Sequence, residues 1–345
     1  VPGIKHIIVI RLSAMGDVAM TVPVLRALTL KYPGVKVTVV SKAFFKPLFK
    51  NIPNVAFFAA EPEGRHKGLA GLLKLYKELA SLKPDAVADL HNVLRSKIIT
   101  ALFTLSGKKT ATTNKARSEK KALTRTNNKI FKPLTPVTQR HAQVFKQLDF
   151  PVDLSVPVFP EREHLADEVL QITGQKIGKW IGIAPFAQHK GKVYPQNLMQ
   201  QVINQLAEKP GYTLFLFGGK NEQVLLQGYA SDKENCIVLA GKISFEQEIA
   251  FISNLDVMLS MDSGNSHIAA MLGVKVVTLW GATHPYTGFA PFNQPLENAL
   301  TADREKYPLL PTSVYGNKEV EGYEDVMATI KPEAVVNKVE EVLLR

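Results

Sequence analysis

The chain has a single cysteine, Cys236, in 345 residues. That excludes a disulfide framework and a zinc site built from cysteines. No apolar run approaches the ~18 residues that a membrane-crossing helix needs. The first residues show no charged-then-apolar leader, and the stretch HIIVI at 6–10 is too short for one and reads as a strand. No HExxH, Walker A or DxD pattern occurs, and DSGNSH at 262–267 is not the G-x-S-x-G elbow of a hydrolase. The turn after HIIVI, in RLSAMGDVAMTVP at 11–23, holds one glycine, Gly16, followed by an acid, Asp17. A dinucleotide loop wants three glycines, so a nicotinamide-dependent oxidoreductase is disfavoured. These absences point to a protein of a reducing, cytoplasmic compartment.

What is present is a chain long enough for two domains, 46% hydrophobic, with a formal charge of +11. The excess is uneven. Residues 107–132 hold nine Lys/Arg against one Glu. Such a stretch suits anionic partners, either a phosphate-rich glycolipid or a membrane surface, or is a solvated loop. It lacks the interleaved aromatics of a single-strand nucleic-acid groove, so no nucleic-acid partner is expected.

Apolar β-branched runs alternate with helical stretches. Strands are expected at 6–10, 36–41, 55–60 and 85–90, with helices near 17–31, 68–82 and 94–105. The proline-bearing PVDLSVPVFPERE at 151–163 reads as a linker. The alternation then restarts, with strands near 179–185, 212–219, 236–241, 256–262 and 275–281. This is the pattern of two parallel sheets, an α/β chain with two Rossmann-like halves. Residues 300–328 read as irregular and 331–344 as an amphipathic helix.

Ligands of open α/β sheets bind beyond the carboxyl ends of the strands. In the second half, SMDSGNSHIAA at 260–270 would place the amides of Ser263, Gly264 and Asn265 at a helix N-terminus, with the hydroxyls of Ser263 and Ser266 nearby. That is an anion site suited to a diphosphate, although Asp262 or Ser263 would equally cap the helix. His267 lies in the same first turn. Lys192 precedes another helix and can neutralise a leaving phosphate, or is one cation of an exposed loop. Glu222 opens a helix after paired glycines, where it can hold a ribose diol or merely favour the helix dipole. In the first half, Asp17, His91, Asn92 and Arg95 follow strands, and His141 lies near 139–145. These residues suit the hydroxyls and carboxylates of a polar partner, or serve as helix caps and solvated charge.

In order along the chain stand SAMGDVAMTVP, the K-x-[WY]-P loop KVYP at 192–195, GGKNE at 218–222 and DSGNSHIAAMLGVKVVTLWGATHP at 262–285. From about residue 6 to residue 340 the chain resembles glycosyltransferase family 9, the ADP-heptose:lipopolysaccharide heptosyltransferases. The resemblance implies a GT-B fold, two Rossmann-like domains facing across a cleft. The first, 1–160, would bind acceptor and the second, 161–328, the nucleotide sugar. The final helix, 329–345, would pack back on the N-terminal domain. It implies inverting transfer with no metal and no cofactor, the donor substrate being ADP-heptose by family default.

Carried over by motif, Asp17 matches the general base. Lys192 matches the lysine on the diphosphate, and Glu222 the acid on the ribose. Asp262, Ser263, Gly264 and His267 match the sugar- and diphosphate-binding turn, with Ser266 beside them. Ile243 falls where a residue flanks the adenine and would pack on a base without specifying it. Gly16, His91, Asn92, Arg95 and His141 fall to the acceptor, an anionic glycolipid such as Kdo-bearing lipid A, reached by peripheral contact at the inner face of the inner membrane. Ala187 and Gln188 replace small hydroxyl residues common in the family, which removes one diphosphate contact. The alternatives are a glycosyltransferase of the same fold using another nucleotide sugar, or a non-catalytic nucleotide-sugar-binding protein.

Overall fold

The computed structural model describes residues 3–345. It resolves into two compact units. One comprises the chain through Ala116 with Thr135–Pro160, the other Arg117–Leu134 with Glu161–Arg345. The units divide between Pro160 and Glu161, and 117–134, which interrupts the first half in sequence, belongs to the second unit.

The first unit is built on a parallel sheet of β1 (His6–Ile10), β2 (Lys36–Lys42), β3 (Val55–Ala60), β4 (Ala86–Asp89) and β5 (Lys109–Thr112), in the order β3-β2-β1-β4-β5. Strand β1 is central, with Ile7 opposite Val37 on one side and Ala86 on the other. All five of its residues are buried, which is why the run Ile7–Ile10 is apolar on both faces rather than alternating, with His6 at its start hydrogen-bonded to Thr38. Around the sheet lie α1 (Met15–Ala19), α2 (Val22–Lys31), α3 (Gly68–Ser81), α4 (Leu94–Leu105) and α6 (Val137–Gln147), while α5 (Arg117–Thr124) belongs to the other unit. The single helix expected near 17–31 is two, α1 and α2. Pro23 sits in the first turn of α2; its ring has no N–H to offer and would clash with the carbonyl four residues back, so the helix restarts there.

The second unit carries β6 (Lys179–Ala184), β7 (Tyr212–Leu216), β8 (Cys236–Val238), β9 (Val257–Met261), β10 (Lys275–Trp280) and β11 (Ala299–Thr301), parallel, in the order β11-β10-β9-β6-β7-β8. Its helices are α5, α7 (Asp167–Thr173), α8 (Gln196–Ala207), α9 (Gln223–Ala230), α10 (Phe245–Ile252), α11 (Gly264–Met271) and α12 (Pro332–Leu344). In each sheet the strand order reverses beside the first strand, between β1 and β4 and between β6 and β9. Those are the two switch points where α/β sheets open to ligands.

Helix α12 corrects one expectation. Its buried Val335, Val336, Val339 and Val342 join a core with Met199, Val202 and Val277, packed on α8, β9 and β10. The apolar stripe is thus consumed by the second unit, rather than by the N-terminal domain. Burial of each such valine contributes roughly 1.5 kcal/mol or more.

Segment 117–134 is tied to the second unit by specific bonds. Leu134 N–H donates to the Tyr286 carbonyl at 2.9 Å. Lys129 Nζ donates to the Leu309 and Pro311 carbonyls at 2.7 and 2.8 Å. Lys120 lies 4.4 Å over the Phe289 ring and the Arg304 guanidinium 3.3 Å over Phe131. Lys120 and Lys129, two of the nine cations of 107–132, are therefore structural.

Gly281, just past β10, lets the loop after β6 come close. A Cβ there would lie 2.4 Å from Met327 Sδ and 2.8 Å from the Gly191 carbonyl oxygen. Gly281→Ala is expected to destabilise the second unit by about 1–3 kcal/mol through overpacking, read as a lower urea midpoint, with Lys192 displaced.

Candidate functional site

At the β1/β4 switch point the chain end of β1 supplies Arg11. Its Nη1 donates to the Leu90 carbonyl at 2.7 Å and its Nη2 pairs with Asp17 Oδ1 at 2.5 Å. Ser41 Oγ donates to the Arg11 carbonyl at 2.6 Å, and the Ser13–Ala14 peptide between strand and helix is cis. Asp17 is in the first turn of α1, whose start favours a negative charge. Gly16 precedes it, and its carbonyl accepts from Met20 N–H at 2.9 Å. The Arg11 guanidinium lies directly against the Asp17 carboxylate.

The end of β4 is organised by Asp89, which is fully buried. Its Oδ1 accepts from the His91 and Asn92 amides at 2.9 and 2.8 Å, and its Oδ2 from Ser96 Oγ at 3.0 Å. Burial pushes its carboxyl up, against those three bonds. Asn92 takes a positive φ of 51° and its Nδ2 donates to the Thr113 carbonyl at 2.7 Å. It does not cap α4; Ser96 Oγ accepts the Val93 amide at 3.0 Å instead. The buried Nδ1 of His91 and Oδ1 of Asn92 have no hydrogen-bond partner among the described residues.

His141, on α6, is buried, and its Nδ1 is likewise unpartnered. Burial, then the charge of Arg11, pushes both His91 and His141 down to about 3. Asp17 also acts electrostatically on both rings, so Asp17, Arg11, His91 and His141 form one constellation. Arg95 is exposed on α4 and pairs with Glu63 at 3.5 Å.

At the β6/β9 switch point Lys192 and Asp262 meet. Lys192 Nζ is 2.8 Å from Asp262 Oδ2 and donates to the Asp262 carbonyl at 3.1 Å. Thr283 Oγ1 donates to the same Oδ2 at 2.9 Å. The lysine stem lies on Gly316, where a Cβ would sit 2.6 Å from Lys192 Cγ. Beyond Asp262, Ser263 is the N-cap residue of α11 but makes no side-chain cap. Its Oγ is 3.0 Å from Ser260 Oγ, and Ser266 Oγ donates to the Ser263 carbonyl at 2.7 Å.

Both hydroxyls expected to face an anion are thus turned onto the protein. The first-turn amides beginning at Gly264 lack a side-chain cap and keep the capacity to bind an anion. His267 is buried in the helix that follows.

Glu222 closes a short 3-10 turn after β7, and its Oε2 accepts the Gly219 amide at 2.7 Å. Ile243 is half-buried between β8 and α10. Because β9, β6, β7 and β8 are neighbours in that order, Asp262, Lys192, Glu222 and Ile243 follow consecutive strand ends.

Sequence reasoning passed over Arg11, Thr283 and Glu248. Glu248, on α10, is half-buried against α11, with Asn265 Nδ2 3.4 Å from its Oε1. Burial pushes it up to about 7. Among the described residues no group of three or more His, Cys, Asp or Glu clusters closely enough to hold a metal ion.

Two Rossmann-like parallel-sheet domains, with an anion-ready helix N-terminus in the second, define the GT-B class of glycosyltransferase fold. The chain matches the model of glycosyltransferase family 9 (heptosyltransferase) over residues 72–318, and it belongs to that family. A Haemophilus ducreyi lipooligosaccharide heptosyltransferase 2 is 27% identical over 98% of this chain and 99% of its own. Among solved structures, a family 9 glycosyltransferase from Veillonella parvula superposes with a TM-score of 0.76, at 21% identity, over 99% of this chain and 97% of that one. The Escherichia coli ADP-heptose LPS heptosyltransferase II superposes with a TM-score of 0.69, at 22% identity, over 99% of both chains.

The buried neutral histidines set an acid limit on stability. Between their folded value of about 3 and the ordinary 6.5, the unfolded chain binds protons that the folded chain does not, so stability falls as pH drops through that window. At pH 5 the cost is about 2 kcal/mol for His141. His141→Gln is expected to flatten the decline in melting temperature between pH 6.5 and 4.5, measured by calorimetry.

Proposed function

We propose that this chain is an inverting, metal-independent heptosyltransferase that moves heptose from ADP-heptose to an anionic inner-core lipopolysaccharide acceptor of the lipid A/Kdo type. The observation that carries this is the side-chain-uncapped N-terminus of α11 beside Lys192, an anion site at the switch point of the second sheet. The family and the names of its relatives supply the sugar and the acceptor class.

The reaction is a single displacement. Asp17 takes the proton of the acceptor hydroxyl as that oxygen attacks the anomeric carbon. The bond from that carbon to the diphosphate oxygen breaks on the opposite side, and the nucleoside diphosphate departs with the electron pair, which inverts the centre. Lys192 and the α11 amides stabilise the developing charge, the task a metal ion performs elsewhere. Since Lys192 is paired with Asp262, the diphosphate competes for its ammonium, leaving Asp262 to accept from sugar hydroxyls. Glu222 takes the ribose and Ile243 packs on the base. His91, Asn92, Arg95 and His141 line the acceptor side, with Gly16 permitting the turn that presents Asp17.

No helix among the described residues is long and apolar enough to cross a membrane. Work at the inner face of the inner membrane is therefore proposed as peripheral contact from the cytoplasm, with the exposed cations of 107–132 drawing the acceptor.

Asp17→Asn is expected to leave donor affinity intact while transfer falls by about 10²-fold or more; near-normal turnover would remove Asp17 as the base. In a thermal-shift panel of ADP-, GDP- and UDP-sugars, stabilisation by the ADP-sugar is expected, and a UDP preference would overturn the donor.

A further inference from the structure

We propose that the outward faces of α3 and α4 form a docking surface for an anionic lipid bilayer. On α3, Leu72, Leu75 and Leu79 point into a core with Ile8, Ile10 and Val87. On α4, Ile99 and Phe103 enter the same core. Tyr76 and Phe103 pack edge to face across the two helices at 4.9 Å. Both helices therefore cover one face of the first sheet, and their opposite sides point the same way.

Those opposite sides are not polar. Leu69 and Leu73, one turn apart on α3, are 70% and 47% exposed. Leu94 and Leu105, on the same stripe of α4, are 75% and 84% exposed. Four outward leucines on two adjacent helices are more than scattered apolar surface and mark an interaction face.

The charge around them selects the partner. Exposed Lys74 and Lys77 flank the α3 leucines and exposed Lys97 the α4 pair. Helix α4 has no acidic residue. The one acid of α3, Glu78, is occupied by His66 at 3.2 Å and Arg65 at 3.5 Å. Leucines that enter the acyl boundary, ringed by lysines that reach headgroup phosphates, are the chemistry of an interfacial helix. A second copy seated on this face would set its lysines against their own counterparts, which opposes self-association.

None of the leucines and lysines of this surface is assigned to donor or acceptor. Lipid binding can thus be read without glycolipid and without turnover, so its failure and the failure of the transferase assignment are separable. The full chain is sedimented with phosphatidylcholine vesicles, with and without phosphatidylglycerol. Pelleting only with the anionic vesicles, weakened by salt, is expected. Leu69→Ser/Leu105→Ser and, separately, Lys74→Glu/Lys97→Glu are each expected to lower vesicle affinity about tenfold or more. Both variants should keep the wild-type melting temperature and ADP-induced thermal shift. Failure of the wild type to pellet would overturn the proposal, as would equal pelleting of either variant. A wild-type dimer in sedimentation velocity that the leucine variant converts to monomer would also overturn it, assigning the face to a second copy.

Discussion

A guanidinium at the carboxyl end of β1 governs the acid-bearing end of the first sheet. Where strand order reverses, the flanking helices diverge and the ends of β1 and β4 are left with carbonyls and no helix to cover them. Arg11 fills that place. It takes the Leu90 carbonyl with one nitrogen and Asp17 with another, so one side chain ties β4 and α1 to the strand that carries it. A buried charge of this kind is tolerated only when it is paired, and Asp17 is the pair. The same charge helps keep His91 and His141 neutral. Two buried neutral imidazoles thus sit beside the one paired carboxylate at this strand end.

The second sheet solves the corresponding problem with the opposite polarity of function. There the groups after β6 and β9 are a cation and an acid that satisfy each other, with Thr283 fixing the acid. In the proposed reaction the diphosphate carries more charge than one carboxylate and also meets the α11 amides, so it would displace Asp262 from Lys192 without leaving either group buried and alone. Asp262 retains its bond from Thr283 through such an exchange. The pairing thus keeps a costly lysine satisfied and costs little to exchange, because each partner has a second ligand class in reach.

Much of this was legible in the sequence, and the reasons differ by element. Strands buried on both faces are predominantly apolar, so HIIVI, KVTVVS and DVMLSMD announced themselves, and the residues after them marked the strand ends. Lys192 and Asp262 were each named from a local motif, and the fold brings them to 2.8 Å of one another.

What was not legible depends on partners distant in the chain. Arg11 opens the quoted RLSAMGD stretch, yet nothing local says that it faces Leu90. Glu248 looks like any acid in an amphipathic helix until α11 packs on it. The hydroxyls of Ser263 and Ser266 have the right spacing for an anion, but backbone and neighbouring hydroxyl acceptors lie closer, a local competition that spacing cannot reveal.

The basic stretch shows most clearly why composition underdetermines function. Its nine cations invite a single explanation, attraction of an anion. The fold divides them. Lys120 is spent on the Phe289 and Tyr315 rings. Lys129 donates to the carbonyls of Leu123, Leu309 and Pro311, and burial, then Arg304, lowers it to about 8. That ammonium fastens a segment inserted in one half of the chain to the other unit, where unpaired carbonyls would otherwise lack donors. Arg117, Lys121, Arg125 and Lys132 are exposed to solvent. A cation's role is fixed by whether carbonyls and rings surround it or water does, and that is a property of the packing, not of the run of lysines.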